Sequence, residues 1–189
     1  TMDDNFPIWT PLSEDISSSN LSLFQEFVSS KTGRNFLNYR ALHHWSVNEL
    51  SEFWECVALF FKINFSRPYS YILRSKKPFY KSEWFGNSML GYVKHIERNF
   101  KANENAILYR NEMQEDTCIT WNSLFLKSSE IKNQLLNQGV KKGDCVVGYL
   151  SNHPITIAAF LATNSIGAVW SCCSPDFGIE SVISRLGQL

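Results

Sequence analysis

Residues 139–178 (GVKKGDCVVGYLSNHPITIAAFLATNSIGAVWSCCSPDFG) constrain the fold more than any other part of the chain. Within them, residues 145–150 form a short apolar run without polar alternation, as expected for a strand that is covered on both faces. A proline then marks the first position of a helix that is apolar on nearly every side, and Gly167 ends it. The apolar run 168–173 predicts a second strand. Because a strand–helix–strand unit of this length is almost always a parallel, right-handed crossover, the sequence predicts an α/β fold.

The loop of residues 174–178 is the leading candidate for a functional site. In open parallel sheets, ligands bind beyond the carboxyl ends of the strands, and this loop directly follows the second predicted strand. Its Asp176 is either a functional group or ordinary turn chemistry after a proline, and the residues alone leave both open. The adjacent Cys172 and Cys173 suggest a redox or thioester site, but neighbours in a strand face opposite ways, which favours structural burial.

The composition excludes several classes of protein. With 44% hydrophobic residues, the 189-residue chain can bury a core, and 18 basic side chains balance 18 acidic ones. Bulk charge therefore gives no reason to expect a nucleic-acid partner or a membrane-surface partner. Five cysteines without zinc or disulfide spacing favour a reducing, cytoplasmic setting. No signal-peptide pattern is present, and every apolar run is well short of the roughly 20 residues that a membrane span needs.

The first half of the chain has mainly helical patterns. Residues 3–18 are mostly polar and predict an extended arm that lies on another surface through Trp9. Apolar residues then recur at helical spacing after Ser19 and Asn20, either of which can cap a helix, and Gly33 ends that helix.

A capping box marks the predicted start of the next helix. Ser46 and Glu49 have its spacing, so we expect each side chain to bond the other residue's backbone amide. His43 and His44 precede this start. Because no acidic or cysteine residue accompanies them at ligand spacing, packing or solvent exposure is favoured over a metal site.

Residues 62–87 combine basic and aromatic side chains. Such mixtures occur in nucleic-acid or phosphate patches, but no motif flanks this one, so we favour a connecting segment whose aromatic rings dock on the domain. Asn87 or Ser88 then caps a helix that starts near Met89 and ends near Asn99.

The second half of the chain combines strands with helices. The runs 106–110 and 118–121 predict two antiparallel strands, and Thr120 can cap the helix that follows until Gly139. Residues 179–189 predict a further helix. Its inward side chains are expected to be Val182, Ile183 and Leu186. Two parallel strands with an uncovered edge are costly, so we expect the chain to be part of a longer polypeptide.

Common catalytic motifs do not occur in the sequence. It has no Walker-type phosphate loop, no dinucleotide fingerprint, no G-x-S-x-G elbow and no zinc-binding helix motif. A complete catalytic constellation is therefore not visible, and no residue is assigned a catalytic or metal-binding role.

Several segments nevertheless resemble one enzyme family. They are WSV (45–47) with FW (53–54), WF (84–85), the turn GVKKGD (139–144) and above all LATNSIGAVWSCCSPDFG (161–178). Together they resemble the acetoacetyl-CoA synthetases, a branch of the acyl-adenylate-forming superfamily that also contains the acetyl-CoA synthetases. The resemblance covers nearly the whole chain, and SIGAVWS joined to SPDFG is its most specific part.

The resemblance implies a ligase that activates acetoacetate with ATP as acyl-AMP and then transfers the acyl group to CoA, with Mg shielding the phosphates. It implies that residues 1–100 form a helical N-terminal cap segment and that residues 101–189 begin an adenylation domain. Asp176, Phe177 and Gly178 match the loop that approaches CoA. The family's ATP loop, metal-binding acid and C-terminal lysine match nothing in this chain, so the chain alone is expected to be inactive and to bind no cofactor tightly.

The expected partners are acetoacetate and the remainder of the enzyme's own chain, with no nucleic acid and no membrane. Two alternatives stay open at this point. One is a ligase for acetate or another short acid, because the acid pocket of the family matches nothing in this chain. The other is a noncatalytic module whose aromatic cap segment binds a partner or a second subunit.

Overall fold

The computed structural model describes residues 7–98, 100–111, 113 and 116–189. The chain divides into two compact units, of which the first ends at Met89 and the second begins at Leu90. Each unit contains its own cluster of buried apolar residues.

Helices dominate residues 13–60 of the first unit. They are α1 (Ser13–Ser17), α2 (Asn20–Thr32), α3 (Tyr39–Asn48) and α4 (Leu50–Phe60). The limits predicted for α2 are confirmed. The Ser19 side chain accepts a hydrogen bond from the Ser22 amide at the start of α2, and Gly33 ends it at φ 74°. That left-handed conformation is the one in which glycine is favoured.

The apolar core of the first unit is formed by α2, α3 and α4. Its buried members are Phe24, Val28, Leu42, Trp45 and Cys56. Aromatic rings meet edge to face here, and the Phe24 centroid lies 5.9 Å from that of Phe53 and 5.3 Å from that of Phe60. Such pairs stabilise a core beyond the area they bury. Burial raises the pKa of the Cys56 thiol, so this cysteine is a neutral packing group.

Short strands complete the first unit. They are β1 (Phe65–Arg67), β2 (Tyr71–Arg74) and β3 (Glu83–Gly86), with a 3₁₀ turn at Phe79–Lys81. The strands β2 and β3 are antiparallel. The Glu83 carboxylate accepts hydrogen bonds from Lys76 and Tyr71 and pairs with Arg74 at 3.3 Å. Two basic groups of residues 62–87 are therefore neutralised within this hairpin, which favours the docked connecting segment over a binding patch.

The capping box predicted at Ser46 and Glu49 is wrong. Asn38 caps an earlier helix, α3, through its side-chain oxygen, and this helix continues past Ser46. The Ser46 hydroxyl donates instead to the carbonyl oxygen of His43 at 2.8 Å. The next helix, α4, begins after Glu49 without a side-chain cap.

Two other expectations for this part of the chain are wrong. The predicted extended arm contains the short helix α1 at Ser13–Ser17, and Trp9 is 73% exposed, so it does not anchor the arm. The helix expected from Met89 begins later, at Tyr92, because Met89–Leu90 is a short strand, β4. The predicted end of that helix at Asn99 and the first residues of the arm lie outside the described residues.

The second unit alternates strands and helices. Its elements are α5 (Tyr92–Glu97), β5 (Asn105–Tyr109), β6 (Thr117–Thr120), α6 (Trp121–Asn137), β7 (Cys145–Tyr149), α7 (Pro154–Ile166), β8 (Val169–Cys173) and α8 (Ile179–Leu186). The antiparallel pairing of β5 with β6 is confirmed. The predicted cap of α6 is also confirmed, since Thr120 Oγ1 accepts from the Ser123 amide at 3.2 Å.

The core of the second unit lies mainly between α6 and α7. Leu124 of α6 is buried with Ala158 and Leu161 of α7, and Val93 of α5 joins them. None of the helices in the described parts of either unit is long and apolar enough to cross a membrane.

The strands β7 and β8 pair in parallel on either side of α7 in the chain, as predicted. Gly167 ends α7 at φ 83°, which is also as predicted. The expectation that β7 is covered on both faces is wrong for the described chain, because Val147 is 48% and Tyr149 51% exposed. Side chains of β7 alternate between a packed and an exposed face, as in a half-covered strand.

The last helix of the unit, α8, is confirmed as a helix but not in its predicted burial. Ile183 was expected to face inward and is 65% exposed. Val182 and Leu186 are partly buried. The part of α8 around Ile183 is therefore less buried than its apolar sequence predicts.

Candidate functional site

The candidate loop, residues 174–178, connects β8 to α8 at the carboxyl end of the parallel strands. The chain leaving β7 lies beside it, since the Leu150 amide donates to the carbonyl oxygen of Cys173 at 3.1 Å. The position predicted for this loop is confirmed. It is the edge at which parallel sheets bind ligands.

Hydrogen bonds within the loop fold it into a turn. The Phe177 amide donates to the carbonyl oxygen of Ser174 at 3.2 Å, and the Ser174 hydroxyl donates to a carboxylate oxygen of Asp176 at 2.8 Å. Part of the hydrogen-bonding capacity of Asp176 is thus used in ordinary turn chemistry. The residue nevertheless stays exposed, so its carboxylate also faces solvent.

Tyr149, the last residue of β7, reaches this loop from the neighbouring strand. Its hydroxyl oxygen lies 2.7 Å from the carbonyl oxygen of Pro175 and 3.0 Å from that of Phe177. The single hydroxyl proton is shared between two acceptors, with the shorter contact to Pro175. Two carbonyl groups that flank Asp176 are therefore tied to the end of β7.

Arg185 of α8 covers the aromatic ring of the loop. Its guanidinium carbon lies 4.3 Å from the centroid of the Phe177 ring, the geometry of a cation–π contact. Next to this ring, Gly178 has an ordinary φ of −63°, and a Cβ atom built on it would meet nothing within 4 Å. The space above the backbone of Gly178 is open.

The segment after β7 has a structural role at the same edge. Nδ1 of His153 accepts the Ile155 amide at 3.1 Å and so caps α7. The Thr156 hydroxyl donates to the carbonyl oxygen of Ser151 at 2.8 Å, and the His153 ring meets the Tyr109 ring edge to face at 5.0 Å. His153 therefore contacts both the start of α7 and the ring of Tyr109.

The cysteines and histidines form no reactive cluster in the described part of the chain. All five cysteines are free. The structural burial favoured for Cys172 and Cys173 is right for Cys173, which is buried, and wrong for Cys172, which is exposed because neighbours in a strand face opposite ways. His43 and His44 are exposed, which is one of the two settings favoured for them. Among the described residues, no group of three or more His, Cys, Asp or Glu side chains is placed to hold a metal ion.

Two models of known protein families match the chain. The family model "Acetyl-coenzyme A synthetase N-terminus" matches residues 39–95, and the model "AMP-binding enzyme" matches residues 96–188. The chain is therefore similar to the AMP-binding enzymes over residues 96–188. These matches confirm the resemblance found in the sequence, and the two meet at residues 95 and 96, within α5.

Several individual AMP-binding enzymes are similar to the chain. Acetoacetyl-coenzyme A synthetase of Rhizobium meliloti (strain 1021) is 32% identical over 183 residues, which are 97% of this chain and 28% of that protein. Acetoacetyl-CoA synthetase of Macaca fascicularis is 36% identical over 185 residues, with 96% and 27% covered. The solved structure of acetoacetyl-CoA synthetase from Streptomyces lividans matches with a TM-score of 0.89 at 36% identity, covering 97% of this chain and 29% of that one. The chain spans little more than a quarter of the length of these AMP-binding enzymes.

The structural match confirms the predicted α/β fold, with a helical part followed by an antiparallel pair and a parallel strand–helix–strand unit. Whether Asp176, Phe177 and Gly178 face CoA stays a prediction. Sequence reasoning missed Tyr149 and Arg185, which contact the loop from outside. A tyrosine at the end of an otherwise aliphatic strand was the available signal for the first of them.

Proposed function

We propose that the chain is the N-terminal part of an AMP-forming acid–thiol ligase that makes acetoacetyl-CoA. The observation that supports this most directly is the identity of 32–36% to proteins named acetoacetyl-CoA synthetases over 96–97% of the chain. The similarity of fold to the enzyme from Streptomyces lividans supports the proposal as a second line of evidence, in addition to sequence identity.

The reaction proposed for the complete enzyme has two steps. A carboxylate oxygen of acetoacetate attacks the α-phosphorus of ATP, and pyrophosphate leaves, giving acyl-AMP. The thiol sulfur of CoA then attacks the acyl carbon and loses its proton. The bond between the acyl carbon and the phosphate oxygen breaks, and AMP leaves with the electron pair of that bond. In the complete enzyme, bound Mg would supply electrostatic stabilisation of the phosphate charges. We assign no residue of this chain to ATP, to Mg or to a catalytic role.

The part of the site that we assign to this chain is the CoA side. Asp176 is exposed, the Phe177 ring is held by Arg185, and the backbone at Gly178 has open space beside it. A loop with an exposed backbone, a fixed ring and no bulky side chain at its end can accept a long, flexible ligand such as CoA at close range.

The remaining parts of the proposal concern the cellular setting and organisation of the enzyme. We propose that residues 1–100 act as its cap segment and residues 101–189 as the beginning of its adenylation domain. We also propose that the enzyme works in the cytoplasm, uses ketone bodies for lipid metabolism, and has acetoacetate and the rest of its own chain as partners, without nucleic acid or membrane.

The proposal is tested by substrate profiling of the complete protein. Pyrophosphate release and CoA thioester formation are measured with acetoacetate, acetate, propionate and butyrate, each with and without CoA. The highest kcat/KM is expected with acetoacetate. A higher kcat/KM with acetate or another short acid would replace the proposed substrate and keep the proposed reaction. If none of the four acids supports ATP turnover, the noncatalytic alternative is favoured. The 189-residue chain alone is expected to release no pyrophosphate.

The assignment of the CoA side is tested by Phe177→Ala in the complete protein. Adenylate formation, measured by trapping the acyl group with hydroxylamine in the absence of CoA, is expected to stay near the original rate, while kcat/KM for CoA falls. The matched control is Phe100→Ala, which removes a ring of the same unit that packs on Phe125 at 5.5 Å. Equal loss in both half-reactions for Phe177→Ala would contradict the assignment.

A further inference from the structure

Two side chains hold the loop of residues 174–178 from outside it. The hydroxyl of Tyr149 lies 2.7 Å from the carbonyl oxygen of Pro175 and 3.0 Å from that of Phe177. Tyr149 stands 26 and 28 residues before its two acceptors in the chain, so these contacts join separate elements and do not arise from the turn itself.

The second side chain approaches from α8. The Arg185 guanidinium carbon lies 4.3 Å from the centroid of the Phe177 ring. The start of α8 is joined to the loop through the Val182 amide, which donates to the carbonyl oxygen of Gly178 at 3.1 Å. Because a planar cation stacks on one face of the ring, rotation of the Phe177 side chain is restricted.

The loop needs such external contacts, because it buries little of its own surface. Ser174, Pro175, Asp176 and Gly178 are exposed and Phe177 is only partly buried. The bond from the Phe177 amide to Ser174 closes a turn but does not attach it to the strands. Segments with few buried contacts open with small free energies. Tyr149 therefore fixes the backbone of the turn, and Arg185 fixes its ring.

We propose that Tyr149 and Arg185 are positioning residues that hold residues 175–177 in the shape that binds CoA, an inference that rests on the proposed function of the loop. Neither residue is assigned a contact with CoA. Their effect comes from ordering the loop before the ligand arrives, since a preordered loop loses less conformational entropy on binding.

The first test measures the loop itself, with no ligand present. Hydrogen exchange is followed by mass spectrometry in peptides that cover residues 174–182 of the complete protein. Loss of one hydrogen bond by Tyr149→Phe is expected to speed exchange of the Phe177 amide roughly 2- to 10-fold. The control is Tyr92→Phe, which removes the hydroxyl of another exposed tyrosine of the same unit while its ring contact with Phe160 at 5.8 Å can remain.

The second test measures the consequence for CoA. Tyr149→Phe is expected to raise KM for CoA by about the same 2- to 10-fold factor. The kcat at saturating CoA and the rate of adenylate trapping by hydroxylamine are expected to remain near their original values. Arg185→Gln is expected to raise KM for CoA as well, and Arg185→Lys less so, because a lysine cation can still lie over the ring.

The outcomes separate the positioning role from the proposed function. Faster exchange together with a raised KM for CoA supports the inference. Unchanged exchange in Tyr149→Phe overturns it, whatever happens to activity. Faster exchange with an unchanged KM also overturns it, because the loop would then be ordered by Tyr149 without any effect on CoA. If the complete protein makes no CoA thioester, the proposed function fails, and the exchange data alone still decide whether Tyr149 orders the loop.

Discussion

The indole nitrogen of Trp45 donates a hydrogen bond to a carboxylate oxygen of Glu52 at 2.7 Å. The same oxygen accepts from Nε of Arg34 at 2.8 Å. Trp45 belongs to α3 and is 5% exposed, and Glu52 lies in the first turn of α4. One carboxylate therefore joins α4 to the buried tryptophan of α3 and to the segment that follows α2.

We expect Glu52→Ala to lower the free energy of unfolding by about 1–3 kcal/mol, because the buried indole N–H of Trp45 loses its acceptor. Glu52→Gln keeps an acceptor oxygen and is expected to lose much less. The measurement is urea denaturation followed by far-UV circular dichroism. Equal losses for the two variants would show that the negative charge, and not the hydrogen bond to Trp45, carries the effect.

Glu49→Ala is the matched control for this prediction. Glu49 is exposed and makes no side-chain cap bond to α4, so its removal is expected to change the free energy of unfolding by less than about 0.5 kcal/mol. A loss near 1 kcal/mol would instead be the value expected of a working cap and would restore the capping box with Ser46.

The capping box shows where sequence reasoning failed in the first unit. The spacing of Ser46 and Glu49 fits that motif, but a stronger start lies upstream at Asn38, and the helix that begins there includes Ser46. Inside a helix, a serine hydroxyl bonds a carbonyl of the preceding turn, as Ser46 does with His43. The motif was present in the sequence, but the helix had already begun.

Caps and terminators elsewhere could be predicted because they act locally. Ser19 and Thr120 each accept the backbone amide three residues later, and Gly33 and Gly167 end their helices in the left-handed conformation. The loop at the end of β8 could likewise be placed. The contacts of Tyr149 with that loop could not, because they depend on the parallel register that sets Tyr149 opposite Cys173.

The exposure of β7 could not be predicted from the sequence either. Composition alone describes an apolar strand, and it cannot say how much of the strand is covered by other parts of the protein. Val147 and Tyr149 lie on the exposed face of the described chain, whereas Gly148 between them is buried. The sequence pattern therefore predicted the strand and its parallel partner correctly, and its burial wrongly.

Glu83 is expected to make the stability of the β2–β3 hairpin depend on pH. Hydrogen bonds from Lys76 and Tyr71 lower the pKa of Glu83 below its ordinary value of 4.5. Because the folded pKa lies below the unfolded one, this contribution is fully present above about pH 4.5 and is lost as the pH falls through the folded pKa. At pH 6, the backbone amides of the hairpin are therefore expected to exchange more slowly in the wild type than in Glu83→Gln. The two exchange rates are expected to converge towards pH 3.

Tyr71→Phe provides the comparison for that experiment. It removes one of the two hydrogen bonds that lower the pKa of Glu83 and keeps the other, from Lys76. Its pH dependence is expected to lie between those of the wild type and Glu83→Gln. A Glu83→Gln variant with the full pH dependence of the wild type would assign that dependence to another group.

His153→Ala is expected to lower the free energy of unfolding by about 1 kcal/mol, because the Ile155 amide loses its cap at the start of α7. His153→Asn supplies a side-chain oxygen for the same amide but has no ring to contact Tyr109. Urea denaturation is expected to place the asparagine variant near the wild type. If asparagine is as destabilising as alanine, the ring contact with Tyr109, and not the cap, holds His153 in place.

Gly178→Ala is expected to separate stability from ligand binding at the candidate loop. A Cβ atom at Gly178 meets nothing within 4 Å and its φ is −63°, so alanine is expected to change the free energy of unfolding by less than about 0.5 kcal/mol. Gly167→Ala serves as the contrast, because its φ of 83° is costly for a residue with a side chain, on the order of 1 kcal/mol. If CoA passes close to the loop backbone, Gly178→Ala raises KM for CoA while the protein remains as stable as the wild type. An unchanged KM in Gly178→Ala and in the bulkier Gly178→Val would mean that CoA does not approach this part of the chain.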